Sequence, residues 1–194
     1  MNRIARLTLY VALVIFPVWA NARGDELDAP ECAHTNDSDV PTNHLNRGLC
    51  HVSRNYLSYA KSEFQFVINL QNEKETYLRP AAYLNLGVVY LMESNYALAT
   101  RNFLSAIEAK PDYAEAYFNL GVVYYKQKVF KKAEEAYLKA IELQPDYGRA
   151  HYSLGFLYLE ERKYDLAKRH AELAVENGVP FKTLQERLAK VSSK

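Results

Sequence analysis

The sequence predicts an all-α protein, a solenoid of helix-turn-helix units closed by a C-terminal capping helix. Three observations predict it. The hexapeptide NLGVVY occurs as residues 85–90 and again as 119–124, 34 residues apart, and a fixed period of that size is the mark of a repeat architecture. Aligning residues 80–113, 114–147 and 148–181 stacks Leu86, Leu120 and Leu154; Gly87, Gly121 and Gly155; Tyr90, Tyr124 and Tyr158; Ala99, Ala133 and Ala167; Ala106, Ala140 and Ala174. Within a block, apolar or small residues recur at three- and four-residue steps, as at Leu120, Gly121, Tyr124 and then Ala133, Ala136, Tyr137, Ala140, which is helical rather than strand periodicity.

At the N-terminus, Arg3 and Arg6 precede an apolar run of 14 residues, Leu7 to Ala20, with small residues at Ala20 and Ala22. That order is the order of a secretory signal peptide. Cleavage is expected after Ala22, or in the neighbouring frame after Ala20, so residues 1–22 would be removed and the protein exported, to a periplasm or out of the cell. The run is interrupted by Pro17 and falls short of the roughly 20 apolar residues a bilayer span requires. The competing reading is a retained anchor, the one case in which a membrane becomes a partner. Residues 23–43 are rich in Asp, Glu, Asn and Pro, and an acidic, poorly ordered lead-in is expected there.

The chain's two cysteines are Cys32 and Cys50. In an exported protein such a pair suggests a disulfide, worth about 3 kcal/mol in the chain-entropy model. Two alternatives stand beside it. One is a metal site that adds His34 and His51, although structural zinc pairs usually put two to four residues between ligands; the other is two free thiols.

Each strict block holds two helices. Gly121 and Ala133 are small where helices must approach, and Tyr117, Tyr124 and Tyr137 are large where space between them must be filled. Pro111 and Pro145 end the second helices, since proline cannot continue a helix and restricts the residue before it. Upstream, setting Ala60 under Ala99 brings Gly48 under Gly87 and Phe64 under Phe103. This gives a divergent unit over 41–74, followed by the inserted residues 75–79. It carries Arg47 in the leucine column, and Cys50 where later blocks have Val89, Val123 and Leu157. A bridge to Cys32 would fasten the lead-in across the open end of the stack. At the other end Ala171 replaces the aromatic residue of its column, and residues 181–193 place Phe181, Leu184, Leu188 and Val191 on one helical face. That stretch is predicted to be a capping helix, and the solenoid as a whole to span 44–194.

This pattern resembles the tetratricopeptide repeat family, over residues 80–181. The resemblance implies that the first helix of each unit lines a concave surface. The positions concerned are Leu84, Asn85, Val88 and Leu91; Phe118, Asn119, Val122 and Tyr125; Tyr152, Ser153, Phe156 and Leu159; and upstream Leu45, Asn46, Leu49 and Val52. Asn46, Asn85 and Asn119 form a column similar to the asparagine ladder with which some members hold a peptide backbone, an amide being able both to donate and to accept. Each such bond is worth about 0.5–1.5 kcal/mol net, so apolar neighbours must supply much of the affinity. Against a carboxylate clamp of the chaperone-tail type, Leu84 and Val88 stand where Lys and Asn are required; Asn119 and Arg149 fit.

Composition narrows the function classes. The formal net charge is +1, and loss of Arg3 and Arg6 takes it to −1, without the basic excess expected of a nucleic-acid binder. No nucleophile elbow, zinc-protease motif, P-loop or dinucleotide fingerprint is present, so no enzymatic activity, cofactor or metal is expected. His151 occupies a column held elsewhere by Tyr83 and Tyr117 and reads as a packing residue. The expectation is a non-enzymatic adaptor that binds a protein or peptide segment in its groove; likeness to envelope members of the family suggests cell-envelope or pilus-type assembly. The alternative is a scaffold that assembles with itself or a complex through its convex helices, and oligomeric state stays open between the two.

Overall fold

The structure, a computed structural model, describes residue 32, residues 40–71, residues 73–179, residue 184 and residues 186–188. The helices come in pairs: α1 (Pro41–Ser53) with α2 (Leu57–Ile68), α3 (Arg79–Met92) with α4 (Tyr96–Ala109), α5 (Ala114–Lys126) with α6 (Phe130–Leu143), and α7 (Gly148–Glu160) with α8 (Tyr164–Glu176). We call these pairs units I to IV. A short 3-10 helix, Glu73–Leu78, stands between units I and II. Among the described residues there is no strand, and the chain is all-α. The segment read as a signal peptide lies outside the described residues.

Within each unit the two helices are held by a small residue facing a large one. A Cβ added at Gly48, Gly87 or Gly121 would stand 2.4, 2.6 or 2.6 Å from the ring of Phe64, Phe103 or Tyr137. All three rings are buried. Glycine is therefore required by the approach of the ring, not by backbone conformation, and each buried ring contributes about 1.5–3 kcal/mol. In unit IV the ring is missing because its column holds Ala171. Its place is taken by Leu184, fully buried, whose Cδ2 would lie 2.7 Å from a Cβ at Gly155. Of the amphipathic stretch expected to cap the stack, Leu184 and residues 186–188 are helical, while Phe181 and Val191 lie outside the described residues.

The turn inside each unit has one construction. Asn55, Ser94, Lys128 and Arg162 hold φ of 62, 59, 61 and 59°, a left-handed conformation unfavourable by roughly 1–2 kcal/mol for residues other than Gly. The hydrogen bonds around them explain why it persists. The N–H of Asn95 donates to Tyr90 O at 2.8 Å, Val129 to Tyr124 O at 2.9 Å, and Lys163 to Tyr158 O at 2.8 Å, the long-range bond of a Schellman motif. Second helices end differently. Lys110 and Gln144 are extended, as the following Pro111 and Pro145 demand. Unit IV has its proline one residue late, and α8 instead closes through Gly178 at φ 78°, with Val179 N–H donating to Ala174 O at 3.0 Å.

Residues 41–43 correct the expected lead-in. They are the first turn of α1, which starts with Pro41, a residue whose fixed φ suits that position. Units are also joined to each other. Successive first helices, α1 with α3, α3 with α5 and α5 with α7, touch one another, whereas α2, α4 and α6 each pack first on the partner helix of their own unit and next on the first helix of the following one. The first helices therefore form the inner wall of the stack. Cross-links between units include Lys61 to Glu93 at 2.7 Å and the Tyr158 hydroxyl donating to Glu134 at 2.7 Å.

Two substitutions test this account. Gly121→Ala should lower stability by about 1–3 kcal/mol, as overpacking against a fixed ring does, despite alanine's better helix propensity. Lys128→Gly should raise stability by up to about 1 kcal/mol by removing the left-handed strain, less the extra flexibility of glycine in the unfolded chain. Urea titration of both variants against the parent measures each shift.

Candidate functional site

The inner wall is the face that the family resemblance implied for binding, and the structure divides its residues into two sets. Leu84, Phe118, Asn119 and Val122 are buried, Phe118 completely, so in the free protein they form the floor. Asn46, Asn85, Val88, Tyr125, Tyr152 and Phe156 are exposed or half-buried and form the accessible surface.

The amide column has a specific local geometry. Asn85 donates from Nδ2 to Ala81 O at 2.8 Å and Asn119 donates to Glu115 O at 2.9 Å. One N–H of each amide is thus tied to its own helix four residues back, which fixes the amide plane. In unit IV the column passes to Ser153, hydrogen-bonded to the Tyr137 hydroxyl. Burial drives that hydroxyl far above the ordinary tyrosine range, with the Ser153 bond acting in the opposite direction.

Arg149 is held in place rather than poised for a carboxylate from outside. Its Nη2 donates to the Tyr147 hydroxyl at 2.7 Å and approaches Glu115 at 3.5 Å. The guanidinium lies 5.3 Å from the Phe118 ring centroid and 5.1 Å from that of Tyr147. It joins unit III to unit IV, and cation–π contact accounts for part of its hold.

Toward the C-terminal end the wall becomes aromatic. Tyr152 and Phe156 meet edge to face with centroids 4.8 Å apart, and Tyr125 sits 5.8 Å from Phe130. Burial raises the Tyr125 hydroxyl pKa, Glu160 adds to the rise, and Arg187 opposes it. Burial also lowers the pKa of Lys126.

The disulfide reading of the cysteines holds: Cys32 and Cys50 are bridged, with Cα atoms 5.8 Å apart. Both thiols are used, which withdraws the thiolates from the metal alternative. His51 is buried beside Tyr59, centroids 5.5 Å apart.

Sequence reasoning passed over a pair of titratable clusters. His44 and Arg47 bond to Glu63, at 2.5 Å and 3.2 Å. Burial alone would raise the Glu63 pKa, but hydrogen bonds from Arg47 and His44 outweigh it and hold the carboxylate below its ordinary value. In unit IV, His151 Nε2 lies 3.1 Å from Pro145 O, so that nitrogen donates. His151 Nδ1 and His170 Nδ1 share a hydrogen bond at 3.0 Å. Burial, then the neighbouring His151 and Arg169, push His170 down to about 4, with Glu134 acting in the opposite sense. The two clusters occupy equivalent positions, 44 with 63 and 151 with 170, each 19 residues apart. The signal was in the columns: the same crossing holds Tyr83 with Asn102 and Tyr117 with Ala136.

Tetratricopeptide repeat family models match residues 93–128, 114–147 and 136–169. Residues 93–169 are tetratricopeptide repeats. Comparison with curated protein sequences yields no significant match. Among solved structures, a crystal structure of MamA is similar at a TM-score of 0.62 and 27% identity, over 79% of this chain and 83% of that one. PilF of Pseudomonas aeruginosa superposes at a TM-score of 0.68 with 20% identity, over 81% of this chain and 71% of its own. YrrB, described as a TPR protein with an unusual peptide-binding site, superposes at 0.59 with 19% identity, over 81% and 77%. The last two likenesses are of fold alone.

The His170 environment sets a pH dependence. Its folded pKa of about 4 lies below the ordinary 6.5, so the unfolded chain takes up a proton that the native protein refuses. Stability is full above about pH 6.5 and falls continuously toward pH 4, in a window set by those two values. Glu63, with its lowered pKa, adds a separate loss at more acid pH, below 4.5. Thermal unfolding of the parent and of His170→Gln from pH 7.5 to 4 should show a shallower decline in the variant.

Proposed function

We propose that the protein is a non-enzymatic adaptor that binds a segment of a partner protein along its inner wall. The observation that carries this reading is the register of accessible amide, apolar and aromatic side chains on successive first helices: Asn46, Asn85 and Val88, then Tyr125, Tyr152 and Phe156. Asn85, its amide plane fixed by its own helix, and Asn46 one unit earlier in the same column offer amide groups to an extended or helical chain. The half-buried rings supply apolar area without a large ordering cost, since aromatic side chains have few rotatable bonds.

We further propose that the protein works outside the cytoplasm. The N-terminal residues have the order of a cleavable export signal, and the Cys32–Cys50 bridge suits an oxidising compartment. A periplasmic or secreted protein of this construction would serve in cell-envelope or pilus-type assembly. The competing reading is a scaffold that uses its convex helices, favoured by the exposed Leu104 and Leu138, which stand at one repeat position on successive second helices.

A photo-crosslinking residue at position 125 in the exported protein separates these readings. A discrete adduct that is weakened in the Asn85→Ala, Asn119→Ala double variant is expected. The affinity loss should be about 1–3 kcal/mol by the value per hydrogen bond, with helicity by circular dichroism unchanged. An adduct indifferent to both amides removes the ladder, and mass that rises with concentration in light scattering, with no adduct, favours the scaffold.

A further inference from the structure

The inner wall changes character along the stack. In units I and II its accessible positions include Asn46, Leu49, Asn85 and Val88, apolar or amide and without charge. In units III and IV they include Tyr125, Lys126, Tyr152 and Phe156, and a further residue reaches them from beyond the last repeat. The guanidinium of Arg187 lies 5.4 Å from the Phe156 ring centroid.

Packing determines where Arg187 stands. Leu184, one helical turn earlier, is fully buried in the space that a ring fills in the other units, against Gly155. The segment after α8 is anchored there, and its next turn delivers a cation to the edge of the wall. Residues three apart share a helix face, so the seat of Leu184 and the position of Arg187 are linked.

The charges at this end are unevenly matched. Arg149 has Glu115 as an ion-pair partner. Among the described residues, Arg187 and Lys126 have no carboxylate within ion-pair distance, although Lys126 is half-buried. Glu160, exposed, raises the Tyr125 pKa and Arg187 lowers it, so both charges lie near that hydroxyl, and the exposed Glu186 adjoins Arg187 in the chain. A guanidinium stacked on a ring keeps its N–H edge free for a planar, two-pronged acceptor.

We propose that Arg187, with Lys126 and the Tyr125 hydroxyl, forms an anion-binding end to the inner wall that takes an Asp or Glu side chain of the partner segment. This rests on the reading of the wall as a partner-binding surface. The partner is therefore a segment with an apolar stretch followed or preceded by an acidic residue. A side-chain carboxylate is favoured over a chain terminus because Arg187 is exposed at the margin of the wall, not recessed where it would stop a chain. On this proposal the C-terminal segment is part of the recognition surface as well as a cap.

The test uses the disulfide-intact full protein and two phage-displayed libraries of random dodecapeptides, one displayed internally and one with free carboxyl termini. Selection on the parent should enrich apolar peptides carrying Asp or Glu in both libraries. A synthetic peptide from that set should lose roughly tenfold in affinity when its acid is replaced by the amide, the size expected for a charge-assisted hydrogen bond. In Arg187→Gln that difference should vanish while the amide peptide binds as before, and Lys126→Gln should shrink it. Enrichment confined to free termini overturns the side-chain assignment. Apolar peptides with no acidic preference overturn this inference and leave the wall as a binding surface. No enrichment on the folded parent overturns both.

Discussion

Everything in this fold depends on how closely two helices can approach within a unit, and that approach is set by a glycine facing a ring. With no Cβ at Gly48, Gly87 or Gly121, the rings of Phe64, Phe103 and Tyr137 lie against the opposing backbone. Close packing of this kind tolerates little change in volume. It also fixes the angle between the helices, and so the direction in which the next unit is laid down. The inner wall is a consequence: first helices come into contact along the stack, and their accessible side chains fall into register.

The ends of the stack show what happens when a repeating contact lacks a neighbour. At the N-terminal end, Cys50 occupies the position where Val89, Val123 and Leu157 are buried, Val89 in a cluster with Val52, Ala60 and Phe64 of the preceding unit. Unit I has no repeat before it among the described residues, and the bridge to Cys32 brings a covalently held, buried residue to that position. At the C-terminal end, Ala171 leaves a gap beneath Gly155, and Leu184 fills it from outside the repeat. Both ends solve the same problem, an unpaired apolar face, by recruiting chain from beyond the repeats.

Polar residues at the end units follow a related logic. The helix crossing occupied by Tyr83 with Asn102 and Tyr117 with Ala136 in the middle of the stack holds His44 with Glu63 at one end and His151 with His170 at the other. One is an ion pair, with a carboxylate held below its ordinary pKa; the other is a pair of imidazoles, of which His170 is held down chiefly by burial. The sign of each shift follows from whether charge is matched or merely buried.

The 34-residue period, the small and aromatic columns and the helical spacing were all legible in the sequence, because they arise from a contact that every unit repeats. The turns were not: Ser94, Lys128 and Arg162 adopt a left-handed conformation without the glycine that would have announced it, since hydrogen bonds on either side impose it. Nor could the sequence separate floor from surface in the inner wall. Phe118 and Phe156 hold neighbouring positions in one pattern, yet Phe118 is enclosed by Tyr137, Tyr147 and Arg149, while Phe156 stays accessible beside Tyr152 and Arg187. The sequence by itself determined the repeat and its helices, since local periodicity and a fixed spacing are properties of the chain. Only the tertiary structure decided which side chains are covered and which cations find partners, because those depend on residues from adjacent units meeting in space.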